Sequence, residues 1–521
     1  MRFLWLLLPL ALLAKEITLQ FLESKPRGLA KDYYIWRFLD QKITPKEAQR
    51  ALELTQHVNY KILRRYILKS KNPHLKKILR CLGTPSYKLL QVDAECAALG
   101  VSGPKLLRLS PTQKKELFAK LAPFPKVRKK YAPFWSDDPY KASKSNPYQF
   151  LRIFFLSGKK NRAKFFNRPL SKIFIAKLTK SKSFPRFVRY CLSEKLERPV
   201  KSLLRFRANK LDAQSSFFLA IEAIKRGLPH AALAFLQNSE KKSYYQSHKD
   251  RANLWLYRLT HKKKYLDKVL HSWDLNLYVL LAYEWAHKPF TNFFVPNLKG
   301  RTSINLSDPF IAERLRKNLP PKNVVAYRNT QSLYALILEK ESNFHRHPFI
   351  LPYTLYLADQ PVSKKALIHA LARQESRFIP GSISRSFALG PLQFMPFLAK
   401  HTAKKLGVSH FDLDWMFKDS IAVGFAKDHI RYLQSRLHHP LLIAYAYNGG
   451  IGYVKKRVVP LFTKYDPLLA MELVNYPETK EYGKKVLANY IIYRKILGKP
   501  ISLTPLLKRL APLSRKLYGK R

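Results

Sequence analysis

The sequence predicts a mainly all-α protein, and three observations carry that reading. Glycine is scarce, 17 in 521 residues, against an ordinary usage of about 7%; β folds with many tight turns need more left-handed positions. Apolar residues recur at helical rather than alternating spacing through most of the chain. The 34 prolines tend to stand just inside the starts of such segments, where a missing N–H costs nothing. The chain is also too long for one compact core, since about 150 residues per domain gives three or four units.

Composition narrows the function classes. With 46% hydrophobic and 13% aromatic residues the chain has ample material for buried cores, which excludes a disordered polar chain. Lys+Arg minus Asp+Glu is 96 − 34 = +62, so the protein is expected to work beside something anionic or highly solvated. Cys81, Cys96 and Cys191 are too few for a disulfide scaffold and too scattered for a zinc site. A Cys81–Cys96 bridge stays open in an oxidising compartment. No metal and no organic cofactor are expected.

The elements follow in chain order. Residues 1–14, MRFLWLLLPLALLA, place Arg2 before an apolar run from Phe3 to Leu13 and end on Ala14. That run is short for about 30 Å of hydrocarbon but suits a signal peptide. Left uncleaved it would be a membrane tether. No cysteine follows to carry a lipid, and no later apolar segment reaches 18 residues, so export to the periplasm without a lasting membrane span is expected.

Residues 15–289 are expected to form an α-superhelix of helical hairpins. Thr44-Pro45-Lys46-Glu47 and Ser110-Pro111-Thr112-Gln113 are capping boxes with proline at the first helical position. In FFLAIEAIKRGLPHAALAF one helix ends at Gly227 and Pro229 opens the next. Leu254, Leu256, Leu259, Leu266, Val269 and Leu270 keep roughly helical spacing before the apolar stretch LNLYVLLAYEWA. No strict period names a repeat. Residues 290–347, with Pro320-Pro321 and one further helix, SLYALILEKES, read as a small helical connector.

Residues 348–521 carry the chemistry. In KKALIHALARQESRF the residues Ile368, Leu371, Ala372 and Glu375 share one face. Glu375 also lies near the helix end that Pro380-Gly381 imposes. Burial and the negative end of the helix dipole both raise a carboxyl pKa, which is what a general acid requires. The alternative is a helix-end glutamate paired with Arg373 or Arg377. Asp412, Asp414 and Asp419 read as caps around the next helix.

Glu375 does not stand alone. ALARQES, then ALGPLQFMP at 388–396, Tyr445 with AYNGGIG at 446–452, and finally PETKEY from Pro477 with VLANYIIYR occur in that order. Together these four motifs resemble the soluble lytic murein transglycosylases over roughly residues 345–500. The fifteen residues from Glu375 to Gly390 match that family's spacing. The resemblance implies a lysozyme-like, α-rich catalytic domain preceded by a superhelix and connector. It implies Glu375 as the single acid/base, with Ser384, Gln393 and Met395 touching substrate or lining the cleft. Tyr447 and Asn448 match the pair facing the activated sugar, and Glu478 the acid on the far wall. Phe387 departs from a usual glycine, Pro391 and Leu392 from the leucine and methionine that follow Gly390, and Gly449 and Ile451 from alanine and proline. These changes touch cleft walls and leave the acid intact.

By the same resemblance the activity is cleavage of peptidoglycan without water, giving a 1,6-anhydro-muropeptide. The partners are then glycan strands and other cell-wall enzymes, with no nucleic acid. A lysozyme-type hydrolase or a non-catalytic helical scaffold are the alternatives. A nucleic-acid binder explains the charge but has no motif behind it. The four motifs are expected to complete the site without any residue of the superhelix.

Overall fold

A computed structural model of the chain describes residues 16–510, so the expected signal segment 1–14 lies outside the described residues. Among them the regular structure is helical, with only isolated bridges such as Phe294–Pro348 and Leu389–Phe394. The all-α class is as the sequence predicts. No described helix is long and apolar enough to cross a membrane.

The chain divides into two compact units, residues 71–272, and residues up to 70 together with 273 onward. Residues 15–70, expected in one superhelix that runs to 289, group instead with the C-terminal half.

Within 71–272, helices Ala213–Lys225, Pro229–Lys242, Gln246–Thr260 and Lys263–Leu270 each pack on the next. The turn at Gly227 has φ +68° and Pro229 opens the following helix, as the sequence signalled. Ser110 forms its capping box. Phe150 anchors an aromatic core, with Phe166, Phe174 and Phe187 at 5.4, 5.1 and 5.9 Å between ring centroids; such edge contacts add to area burial. Cys81 and Cys96 form a disulfide, and Cys191 is free and buried.

The other unit explains why the first helices belong to it. Helix Leu29–Phe38 sends Arg37 to Asp412 at 2.7 Å, while Tyr33 and Tyr34 donate to Asp414 at 3.1 and 3.0 Å. Glu313 accepts the orphan N–H groups of Leu29 and Ala30 at 3.1 and 2.9 Å, a cap supplied from 283 residues away. Asp412 does cap, accepting from the Asp414 N–H, but Asp414 is an anchor for the N-terminal helix rather than a cap. Asp419 opens helix Asp419–Gln434, its carboxyl pushed up to about 7 by burial.

The connector holds one helix more than expected. Besides Gln331–Glu341 there is Pro309–Lys317, capped by Asp308, which accepts from Phe310 at 2.7 Å. Both pack around Leu306, Val325 and Ile379. Helix Pro477–Ile496 lies against Val362–Ser376 and Pro440–Gly449. Gly483 makes that approach feasible, because a Cβ there would sit 2.1 Å from the Tyr445 ring.

Candidate active site

Helix Val362–Ser376 buries Ile368, Leu371 and Ala372 completely and carries Glu375 one residue before its end. Arg377 and Phe378 then turn left-handed, at φ 56° and 65°, and stop the helix earlier than Pro380 alone would. Ser376 is buried and donates to the carbonyl of Pro391 at 2.7 Å, which ties the helix end to the glycine-led loop.

The arginines beside Glu375 do not neutralise it. Arg373 pairs with Glu339 at 2.7 Å and Arg377 pairs with the same carboxylate, which is 4% exposed. Glu375 instead accepts the phenolic O–H of Tyr482 at 2.7 Å. Its residue surface is half-buried, but its carboxyl is enclosed by protein, and it is the enclosure of the ionising group that sets the pKa. Burial pushes the carboxyl up to about 7; the Tyr482 bond pulls it down and the Glu478 carboxylate raises it again. Tyr447, whose phenol is held neutral by burial and by the Glu375 charge, donates to the Leu392 carbonyl at 2.7 Å.

Asn448 joins the same group. Its Nδ2 donates to Glu478 at 3.3 Å and its Oδ1 accepts from Thr479 at 2.7 Å, which fixes the amide's orientation. Gly449 has a local reason here: a Cβ would meet the Thr479 hydroxyl at 2.7 Å. Thus Glu375, Tyr447, Asn448 and Glu478 come together across three helices, with Leu392 attached.

The other expected site residues serve the loop first. Gln393, at φ 49°, donates through its amide to the carbonyls of Gly390 at 2.8 Å and Ser382 at 3.2 Å, leaving Oε1 as the atom to face a ligand. Ser384 accepts the Ala388 N–H at 2.9 Å and keeps its own O–H. Met395 caps helix Pro396–Lys405 and lines a groove with Trp36 and Tyr60. Phe387 is left-handed, at φ 60°, which accounts for a position where glycine is usual. The strain of about 1–2 kcal/mol is offset by packing its fully buried ring 5.4 Å from Trp36 and 6.1 Å from Tyr33. Lys61 donates to the Ser386 carbonyl at 2.7 Å. Helices Leu29–Phe38 and Tyr60–Lys69 thus brace this loop from outside, while the groups named around Glu375 come from the four motifs.

Sequence reasoning missed Tyr482, although it stands four residues after Glu478 on one helix face. Glu339 and Lys61 carried no sequence signal at all. Among the described residues no three His, Cys, Asp or Glu side chains group as a metal site.

An all-α fold with a buried carboxylic acid at a helix end, over a glycine-led loop and a Tyr-Asn pair, defines a class. Residues 353–459 match the family model described as Transglycosylase SLT domain, which bears out the resemblance drawn from the motifs. Over 153 residues the chain is 26% identical to the soluble lytic murein transglycosylase of Salmonella typhimurium, 29% of this chain and 24% of that protein. Over 131 residues it is 28% identical to the Escherichia coli protein of the same name, 25% of this chain and 20% of that one. The chain thus spans about a quarter or less of the curated relatives it matches. The 70 kDa soluble lytic transglycosylase from Escherichia coli superposes with a TM-score of 0.50 at 17% identity, over 94% of this chain and 84% of that one. An inactive mutant of lytic transglycosylase Slt from Pseudomonas aeruginosa gives 0.50 at 14% identity, over 90% of each chain. At those identities the likeness is one of fold.

Proposed function

We propose that the protein is a periplasmic lytic murein transglycosylase, with residues 348–521 as its catalytic domain, 290–347 as connector and the helical hairpins of 71–272 as superhelix. It cleaves the β-1,4 bond between N-acetylmuramic acid and N-acetylglucosamine. The observation that carries this reading is Glu375: a carboxyl held near 7 by burial, bonded to a phenol and not to a cation. Such a group is protonated often enough at neutral pH to act as a general acid.

Glu375 gives its proton to the glycosidic oxygen as the C1–O bond breaks and the N-acetylglucosamine hydroxyl leaves. The substrate's own N-acetyl oxygen meets the positive charge at C1. The C6 hydroxyl then attacks C1, and its proton passes to the Glu375 carboxylate. A 1,6-anhydro ring results, no water is consumed, and the acid is regenerated. Asn448, its amide fixed from both ends, and Ser384, with a free O–H, orient the acetamido group. Tyr447, Gln393 and Met395 line the cleft, and Glu478 holds the far wall. Support also comes from the Pseudomonas aeruginosa relative, whose inactive form is a glutamate-to-glutamine mutant. The +62 charge suits a mesh bearing stem-peptide carboxylates.

A second reading rests on Glu478, whose carboxylate is near enough to raise Glu375. If it activates water, the protein is a lysozyme-type hydrolase with two acids. Mass spectrometry of digested sacculi decides: the anhydro product is about one water lighter than the hydrolysed one. Glu375→Gln is expected to lower muropeptide release by about 10²–10⁴-fold with sacculus binding retained. Residual activity above about a tenth of wild type overturns the single-acid role.

A further inference from the structure

Within the unit of residues 71–272 lies a groove of about 540 Å³ that combines free charge with a buried polar group lacking a partner. Two adjoining helices supply most of it. Gln246, Lys249 and Asn253 recur at i, i+3 and i+7 on one face of Gln246–Thr260. Lys264, Asp267 and His271 repeat that spacing on and just past Lys263–Leu270, which packs against the first helix. Glu240, from helix Pro229–Lys242, and Lys268 complete the lining.

Several of these groups are already spent. Glu240 pairs with Lys268 at 2.9 Å, and the Gln246 amide donates to Asp250 at 2.8 Å. His271 Nδ1 donates to the Asp267 carbonyl at 2.7 Å. What is left defines the ligand. Lys249 and Lys264 stand on different helices and make no ion pair among the described residues. The Asp267 carboxylate and Gln246 Oε1 are also without a partner there. Asn253 is the one buried member of the lining, 4% exposed, and its Oδ1 accepts no hydrogen bond among the described residues. A buried acceptor without a donor is rare in folded proteins.

The remaining groups select a chemistry. Two free ammoniums against one free carboxylate leave one positive charge, so the ligand is a net anion. A zwitterionic amino acid would bring its own ammonium into that surplus. Two lysines from different walls suit a group with several acceptor oxygens and a charge of about −1.5 to −2 at neutral pH, a phosphomonoester. Helix Gln246–Thr260 adds the positive end of its dipole, because Tyr245 provides no side-chain cap and the first turn holds no acid. Asp267, Gln246 Oε1 and Asn253 Oδ1 are acceptors and require donors, which on an anionic ligand are hydroxyls. No phenyl, phenol or indole ring lines the groove, so a nucleobase has no face to stack on.

We infer that this groove binds the phosphomonoester of a sugar or polyol, with Lys249 and Lys264 on the phosphate and Asn253, Gln246 and Asp267 on the hydroxyls. The site is separate from the chemistry at Glu375, and its test needs no turnover.

Calorimetric titration of the full chain compares glucose 6-phosphate and glycerol 3-phosphate with inorganic phosphate and with glucose. At least one of the two esters is expected to bind about tenfold or more tightly than inorganic phosphate, and glucose more weakly than either. Lys249→Ala and Lys264→Ala should each cost about tenfold toward ester and phosphate alike. Lys180→Ala, an exposed lysine outside the lining, should change neither. Asn253→Leu is expected to lower the ratio of ester to phosphate affinity about tenfold. Asp267→Ala, at an exposed position, reads the same ratio should the buried substitution fail to fold. Esters that bind no more tightly than inorganic phosphate, or binding unmoved by both lysine substitutions, overturn the inference. A phosphorylated sugar at the end of a longer saccharide presents the same chemistry, so maltopentaose phosphorylated on its terminal 6-hydroxyl forms a second arm. Binding as tight as that of glucose 6-phosphate assigns the site to a saccharide end, and binding about tenfold weaker assigns it to the free ester.

Discussion

Tyr482→Phe separates the two influences on the Glu375 carboxyl. The substitution deletes the 2.7 Å bond from the phenol to Glu375 Oε1 and leaves the ring's packing in place. That bond lowers the Glu375 pKa from where burial alone would set it. A hydrogen bond to a charged group contributes about 1.5–3 kcal/mol, and one pH unit corresponds to about 1.4 kcal/mol. The protonated acid keeps a weaker version of the same bond, so the net change falls at the low end, about one unit. The alkaline limb of kcat/KM, expected at about 7 in wild type from this carboxyl, should move up by that amount, while the rate below pH 6 changes little. Stability carries the same signature. A carboxyl raised above its ordinary 4.5 binds its proton more tightly when folded, so its stabilising share is complete below 4.5. It is lost as pH rises through the folded value. The variant extends that loss by about one unit, making it about 1.4 kcal/mol less stable than wild type at pH 9 relative to pH 4. Muropeptide release between pH 5 and 9.5, with denaturant melts at both extremes, reads both effects. An unmoved or acid-shifted limb would refute the assignment of Tyr482 as the donor to the ionised acid.

Three further outcomes are expected. Lys484→Met strips the cation from Glu472, 3.0 Å away and beside the Tyr278 hydroxyl, and should cost about 3–5 kcal/mol in denaturant melts; a loss under about 1 kcal/mol would show the pair is solvated. Gly390→Ala places a Cβ 2.0 Å from the Met416 carbonyl at φ +76°, so the loop must move, with stability falling by more than about 2 kcal/mol and turnover collapsing; near-native turnover would exclude that loop from the cleft. Sacculus binding by Glu375→Gln should weaken steeply between about 50 and 500 mM salt, while wild-type turnover of a short stem-free glycan stays nearly flat. Indifference to salt would remove the basic surface from the account of substrate binding.

How much was legible beforehand differs between elements for physical reasons. Capping boxes at Thr44 and Ser110, the Gly227 stop and the Pro229 start are local codes, satisfied within a turn of chain, and each appears where it was read. The same holds for Glu375 on the apolar face of its helix, because helical periodicity is a property of adjacent residues. The helix Pro309–Lys317 is a weaker signal: Ser-Asp-Pro announces its start, but only Pro309 and Ala312 on it are buried.

What the sequence alone determined, then, was the helical class, the hairpins of the middle segment and the acid with its four motifs. Only the tertiary structure decided which charges surround that acid. Arg373 and Arg377 are its sequence neighbours, yet both turn to Glu339, and the partner that Glu375 keeps is Tyr482, 107 residues away. It also decided that Trp36 and Lys61 lie beside the loop that carries Phe387, because Arg37 and Tyr34 are held by Asp412 and Asp414 nearly 380 residues later. Local propensity follows from the chemistry of a few consecutive residues. A carboxyl's pKa depends instead on how much water and charge the whole fold leaves around it, and no short stretch of chain contains that information.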